Sequence, residues 1–314
     1  MFPDLFGAIG RFWGSERAST RFSEVTAFGS NPGDLRMHLC TPARVRPGAP
    51  LILVLHGCKQ DATGFAADAG WVALSAKLRI PLVLPEQGFR NNQARCFNWF
   101  RPGDVARGKG EAHSIRQMLR HAVKRFRSDP RRIFVVGFSA GGSMAAALLA
   151  AYPEVFAAGA VVAGTPVGCA FSTVGALLQR HQPDITRSPA RLAADVRAAG
   201  RTPQRRNWPR LAIWQGKRDH VVDPGNADAL AAQWVELHGL PATARTDVPV
   251  GNATRRRWGT ARTDAVEYWT MADLAHGYPV DPACPEGGRV GAWVVDAGIS
   301  TTWEIARFWG IAAT

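Results

Sequence analysis

The strongest constraint on this chain is five residues long. Gly137-Phe138-Ser139-Ala140-Gly141 stands between an apolar run, RIFVVGF over 132–138, and a stretch of small residues, GGSMAAALLAAY. An unbroken apolar run of that length reads as a strand buried on both faces, and the Ala-rich stretch from Gly141 to Ala151 reads as a helix. A serine between the two must sit in a strained turn that lifts its Oγ above the strand ends, and glycines two positions away on either side leave room for it. The helix that follows turns its free N–H groups and positive dipole end toward the same point. An accidental Gly-rich turn would share the composition, but it would not demand a strand before it and a helix after it. Ser139 is the candidate nucleophile.

The rest of the chain repeats this alternation. LILVLHG (51–57), PLVLPE (81–86), AAGAVVAG (157–164), RLAIWQG (210–216) and AVEYWT (265–270) read as strands, and 65–78, 111–126 and 301–310 as helices. Apolar runs alternating with helical patterns predict a mostly parallel sheet covered on both faces. Ahead of it, 22–28 and 35–39 predict a hairpin about Asn31-Pro32-Gly33-Asp34. The stretch from Thr165 to Trp208 is rich in Pro, Arg and Gly and shows no clear strand. It is expected to be a cap or lid insertion over the active-site end of the sheet. The expectation is one catalytic domain over 1–314, of the α/β-hydrolase fold, with that insertion at about 165–208.

Within 1–20, Phe2, Leu5, Phe6, Ile9, Phe12 and Trp13 recur at helical spacing. Such an amphipathic segment either docks on its own domain or touches a lipidic or polymer surface, a membrane or a second subunit. No basic n-region or long apolar run marks a signal peptide or span, so a cytoplasmic protein is expected unless a leader has been removed. The net charge of +13 raises the question of nucleic acid, but the five lysines are dispersed and the arginines form only short groups, at 131–132, 205–206 and 255–257. With no binding motif beside them they are expected to form a solvated surface, with no nucleic-acid partner. Five cysteines are too sparse for a disulfide scaffold in a chain of 314 residues.

The chemistry of Ser139 needs a base, an acid behind it and donors for an oxyanion. In this fold the partners follow the serine in the order acid, then histidine. WQGKRDHVVDP places Asp219 just past a strand end, with Asp223 as fallback. A carboxylate there would accept the Nδ1–H of the histidine and fix its tautomer. His276 is the histidine beyond residue 238, and its Nε2 would take the serine proton. Asp273 stands close by in sequence, and the expectation is that it caps the loop. The oxyanion donors are expected at the backbone N–H of Ala140, after the nucleophile, and of Cys58, where Leu55-His56-Gly57-Cys58 ends an early strand. His56 is expected to hold that loop and not to react. Cys58, with no His-paired Cys motif around it, is expected to be structural, with Cys96 as its candidate partner. Phe97, Trp99, Phe100 and Trp214 lie in segments that run toward the strand ends, and Trp99, Phe138 and Trp214 are the candidate substrate contacts, although such rings also fill cores. Neither metal nor cofactor is required.

Several longer segments carry a resemblance beyond the general fold. HGCKQDATGFAADAGWVALSAK, PLVLPEQ, CFNWF, RGKGE, DPRRIFVVGFSAGGSMAAALLAAYPEVFAAGAVVAG and HGYP resemble the polyhydroxybutyrate-depolymerase-type esterases, near the feruloyl and acetylxylan esterases. The resemblance is nearly continuous over about 50–165 and returns at GKRD and WEIARFWG. It implies a triad of Ser139, Asp219 and His276, an oxyanion loop at His56-Gly57-Cys58, and cofactor-free hydrolysis of 3-hydroxybutyrate oligomers or polymer, or of related small esters. Tyr278, two residues past His276, stands where many relatives have Trp, so a different pocket rim is expected. The alternatives are a feruloyl or acetylxylan-type carbohydrate esterase, and a non-catalytic granule- or lipid-associated binding protein.

Overall fold

A computed structural model describes residues 20–184, 186–200 and 207–313. The amphipathic segment expected over 1–20 therefore lies, up to residue 19, outside the described residues. The chain opens with β1 (Thr20–Val25), β2 (Arg36–Pro42), β3 (Leu51–Leu55), α1 (Ala62–Asp68), α2 (Trp71–Leu78) and β4 (Leu82–Glu86). It continues through α3 (Pro102–Val105), α4 (Gly110–Phe126), β5 (Ile133–Phe138), α5 (Ala140–Ala151) and β6 (Ala158–Val162). Next come α6 (Thr173–His181), α7 (Pro189–Gly200), β7 (Arg210–Gly216) and α8 (Gly225–Leu237). The last part holds β8 (Thr246–Val250), β9 (Ala253–Gly259), β10 (Asp264–Met271), β11 (Tyr278–Val280), β12 (Val294–Asp296) and α9 (Thr301–Trp309).

Among the described residues, ten strands form one sheet in the order β1-β2-β4-β3-β5-β6-β7-β10-β9-β8. The six central strands from β4 to β10 are parallel, and the outer pairs on both sides are antiparallel. Because successive side chains on a strand point to opposite faces, β3 sends Leu51, Leu53 and Leu55 into one core and Ile52 and Val54 into the other. The first core packs against α4, α5, α7 and α8 through residues such as Met118, Leu148, Val196 and Trp234. The second packs against α1, α2 and α9 through Phe65, Trp71, Ile305 and Trp309. This is the doubly covered, mostly parallel sheet that the apolar runs predict. No helix among the described residues is long and apolar enough to cross a membrane.

Three details depart from expectation. The helix expected over 65–78 breaks at Gly70, whose φ of +84° reverses the chain and whose α-carbon faces the Glu286 carbonyl so closely that a Cβ would lie 2.9 Å from that oxygen. The sheet also runs on into the hairpin β8-β9, turned at Gly251-Asn252. Arg255, Arg256 and Arg257 therefore lie half-buried on a strand: Arg257 Nε donates to Glu267 at 2.7 Å, and Arg255 and Arg256 lie over Trp269 and Tyr268. Finally, the described residues of 165–208 hold two helices, and α7 joins the layer over the sheet, with Ala193 and Val196 buried in the first core. Among the described residues of this segment, α6 presents a solvent-facing apolar set, Val174, Leu177 and Leu178.

Candidate active site

The parallel strands end together along one edge, and the loops that leave them build the site. At the end of β5 the backbone of Ser139 takes φ 56° and ψ −120°, a conformation that costs a non-glycine residue about 1–3 kcal/mol. Two contacts show why the flanking residues are glycines. A Cβ on Gly137 would lie 2.0 Å from the Gly141 carbonyl oxygen, and one on Gly141 would lie 2.4 Å from the carbonyl oxygens of both Leu55 and His56. The strand, the first turn of α5 and the end of β3 are thus in backbone contact, and the turn cannot relax. The Ser139 N–H donates to the Val162 carbonyl at 2.8 Å, which fixes the elbow to β6.

Two loops from neighbouring strands bring the partners to Ser139. The loop after β10 presses on the end of β7, with the Leu274 carbonyl accepting from Arg218 N–H at 3.0 Å and Lys217 N–H donating to Met271 at 2.9 Å. That clamp sets His276 beside Asp219. His276 Nδ1 lies 2.8 Å from Asp219 Oδ2, and Nε2 lies 3.0 Å from Ser139 Oγ. Asp219 also accepts from the N–H groups of Val221 and Val222, both at 2.8 Å, and from Gln215 Nε2 at 3.1 Å. Those three partners are all donors and the ionised carboxylate only accepts, so it is Nδ1 that carries the imidazole proton. Nε2 is left with a lone pair facing the serine hydroxyl.

The expected alternatives are placed elsewhere. Asp223 accepts from Gly225 N–H at the start of α8, and exposed Asp273 pairs with Arg218 at 2.7 Å. Cys58 is joined to Cys96 by a disulfide. Gly57 packs against the Phe138 ring, which places the 56–58 turn against the elbow. His56 is fully buried, and Gln87 N–H donates to its Nε2 at 3.2 Å, so its Nδ1–H donates to the Gly57 carbonyl at 2.7 Å. Burial holds its pKa below the usual histidine range, in keeping with a neutral ring. The Ala140 N–H is the first of α5, where no intrahelical acceptor exists.

Of the aromatic candidates, Trp99 is partly exposed and lines a cavity, whereas Phe138 and Trp214 are buried. Phe138 lies beneath the His276 ring at 5.0 Å between centroids, 1% exposed, and supports it. Trp214 is stacked on Trp269 at 4.5 Å inside the second core, also 1% exposed, so it offers no surface to a ligand. Tyr278 is likewise no rim residue. It is completely buried, its hydroxyl bonded to Thr302 Oγ1 at 2.8 Å and to Trp71 Nε1 at 3.1 Å, and burial raises its pKa above the usual phenol range. The exposed aromatic side chain that stands against His276 is Trp293, a residue the sequence pattern does not single out. It is 46% exposed, has a left-handed φ of 61°, and meets the His276 ring edge-on at 5.9 Å. Its loop is held by Gln60 Nε2 donating to the Ala292 carbonyl at 2.6 Å.

Sheet, elbow and relay define an α/β-hydrolase with a serine at its centre. The chain belongs to the esterase PHB depolymerase family, whose model matches residues 37–258. It is 36% identical over 292 residues to poly(3-hydroxyalkanoate) depolymerase C of Paucimonas lemoignei, which covers 92% of this chain and 70% of that one. It is 26% identical over 256 residues to acetylxylan esterase A of Aspergillus oryzae, covering 75% and 78%. Over 270 residues it is 26% identical to feruloyl esterase B of Talaromyces stipitatus, covering 82% and 73%. Among solved structures, the acetyl xylan esterase from Aspergillus awamori shares the fold with a TM-score of 0.79 at 21% identity, over 93% of this chain and all of that one. The protein is a carboxylic ester hydrolase, and the comparisons give a non-catalytic binding role no better support.

Proposed function

We propose that the chain hydrolyses short hydroxyalkanoate esters, 3-hydroxybutyrate oligomers foremost, through an acyl-enzyme on Ser139. The observation that carries the reading is the relay from Ser139 Oγ to His276 Nε2 at 3.0 Å and from His276 Nδ1 to Asp219 at 2.8 Å. Ser139 Oγ attacks the ester carbonyl while Nε2 takes its proton, and Asp219 stabilises the imidazolium. The same proton then passes to the leaving alcohol oxygen. Water repeats the sequence, giving its proton to Nε2 and its oxygen to the acyl carbon, which releases the acid and restores Ser139. In both steps the oxyanion is held by the Ala140 and Cys58 N–H groups.

The substrate assignment draws on the kinship to the polyhydroxyalkanoate depolymerase and on the cavity beside the helix that carries the serine. A cavity of about 390 Å³ is lined by Trp99, Val105, Ser143, Ala147, Val167 and Phe171 among others, within the size range of small-molecule sites. Ser143 and Ala147 follow Ser139 at steps of four residues, so the cavity continues the face of α5 that begins at the nucleophile. Its largely apolar wall, part of it from the 165–208 segment, suits an acyl chain, and Trp293 stands exposed beside His276. The test is a product assay that sets 3-hydroxybutyrate dimers and trimers against methyl ferulate and acetylated xylan. The oligomers are expected to give the highest kcat/KM, and a preference for feruloyl or acetyl-xylan esters would replace this reading with the carbohydrate-esterase one.

A further inference from the structure

Glu111 is a carboxylate with no exposed surface, and the mechanism above leaves it without a role. It stands in the first turn of α4, where the helix dipole favours an anion. Every hydrogen bond to its carboxylate comes from a donor in one loop. Oε1 accepts from Gln87 Nε2 at 2.6 Å, Asn98 Nδ2 at 2.7 Å and Asn91 Nδ2 at 3.2 Å, and Oε2 accepts from Asn98 N–H at 2.9 Å. All three partners belong to the 87–98 loop, a connection without regular structure. Asn98 passes the constraint on, since its Oδ1 accepts from Asn92 Nδ2 at 2.9 Å and Asn92 Oδ1 in turn accepts from the Ala94 and Cys96 N–H groups.

The same loop grips the chain at and on both sides of Cys58. Gln87 N–H donates to His56 Nε2, Cys96 is bonded to Cys58, and Lys59 N–H donates to the Ala94 carbonyl at 2.8 Å. His56 completes the hold, because its Nδ1–H binds the Gly57 carbonyl. In a planar trans peptide that carbonyl and the Cys58 N–H point in opposite directions, so fixing one aims the other. We infer that Glu111 is a positioning residue for the Cys58 amide: its buried carboxylate locks the 87–98 loop, and the loop sets the direction of the donor that meets the oxyanion. This rests on the reading of Ser139 as nucleophile and Cys58 as oxyanion donor.

Glu111→Gln keeps the shape but turns one acceptor into an NH2 that confronts donors, and Gln87→Ala cuts the shortest tie while leaving the Gln87 backbone in place. Both variants are compared with the wild type for kcat and KM on p-nitrophenyl butyrate, for inhibition by an alkyl trifluoromethyl ketone, whose serine adduct is an oxyanion, and for thermal unfolding. Wild type that is not labelled on Ser139 by a fluorophosphonate would overturn the underlying reading, and the remaining arms apply to labelled enzyme. The expected result is a kcat lower by about tenfold to a hundredfold with KM within about threefold. The inhibitor affinity should fall in step with kcat/KM, a correlation that a loss of general stability would not produce. A folded Glu111→Gln whose kcat and inhibitor affinity stay within about twofold of wild type overturns the inference, as does a loss of kcat with inhibitor affinity unchanged. Should Glu111→Gln not fold, Gln87→Ala is judged by the same two criteria.

Discussion

Replacing Asp219 by Asn tests the relay at the point where its proton bookkeeping is fixed. The carboxylate receives four N–H groups, from His276, Gln215, Val221 and Val222. An amide of the same size keeps one oxygen, which the Val221 and Val222 N–H groups at 2.8 Å claim. Its NH2 then faces His276 Nδ1, formerly a donor, and the imidazole can satisfy that contact only by moving its proton to Nε2. A protonated Nε2 3.0 Å from Ser139 Oγ cannot accept the serine proton. The expected loss is about 10⁴-fold in kcat, or about 5.5 kcal/mol of barrier, while folding loses only about 1–3 kcal/mol, for one charged acceptor replaced. Steady-state hydrolysis of p-nitrophenyl butyrate reads the first quantity and urea denaturation the second. Asp273→Asn, which alters only an exposed pair with Arg218, serves as the control and should keep wild-type kcat. An Asp219→Asn enzyme that retains more than about a hundredth of its kcat would refute the tautomer argument.

Gly141→Ala should lower stability by roughly 3 kcal/mol or abolish folding, because its Cβ would meet two backbone carbonyls at 2.4 Å and neither can rotate away; chemical denaturation measures it. Ala147→Phe places a ring in the cavity beside α5, and should lower kcat/KM for long-chain acyl esters by about tenfold or more relative to acetate; equal losses across a chain-length series would count against the cavity as an acyl site. Two carboxyl groups give opposite dependences of stability on pH. Burial, opposed by the Asn98 and Gln87 donors, raises Glu111 from 4.5 to about 7, so above about 7 it is the ionised acceptor that holds the 87–98 loop. The folded chain holds its proton more firmly than the unfolded one, and Glu111 adds stability as pH falls from about 7 to 4.5. The His38 imidazole, which leads the causes, with Ala62 N–H and Arg36, lowers Glu86 to about 2, so its contribution is present above 4.5 and lost as pH falls toward 2. Thermal melts of Glu111→Gln and Glu86→Gln across pH 2 to 8 should each flatten the corresponding limb.

What the sequence conveys well is whatever repeats or strains the backbone. The apolar runs at 51–55, 133–138 and 210–216 are strands because their side chains are buried on both faces, and the elbow is legible because two backbone contacts leave glycine no substitute. The hairpin β8-β9 is obscured by Pro249 and three consecutive arginines, which read as a solvated surface until Glu267, Tyr268 and Trp269 on the next strand are brought beneath them. Its turn, Gly251-Asn252, carried the available signal. Trp214 shows the opposite error: a ring near a strand end looks like a pocket wall, but the face it occupies is decided by its alternation with Ile213, which points into the other core. Trp293 was out of reach altogether, because the 281–293 segment gains meaning only when Gln60 and Asp68, more than two hundred residues earlier, tie it down beside His276.

The most direct measurement is mass spectrometry of the protein after reaction with one equivalent of a fluorophosphonate, paired with p-nitrophenyl butyrate turnover of Ser139→Ala. The account predicts one phosphonyl group on the peptide that carries Ser139, none on the alanine protein, and turnover lost from a folded variant. Label on a different residue, or hydrolysis undiminished without the hydroxyl, would contradict it.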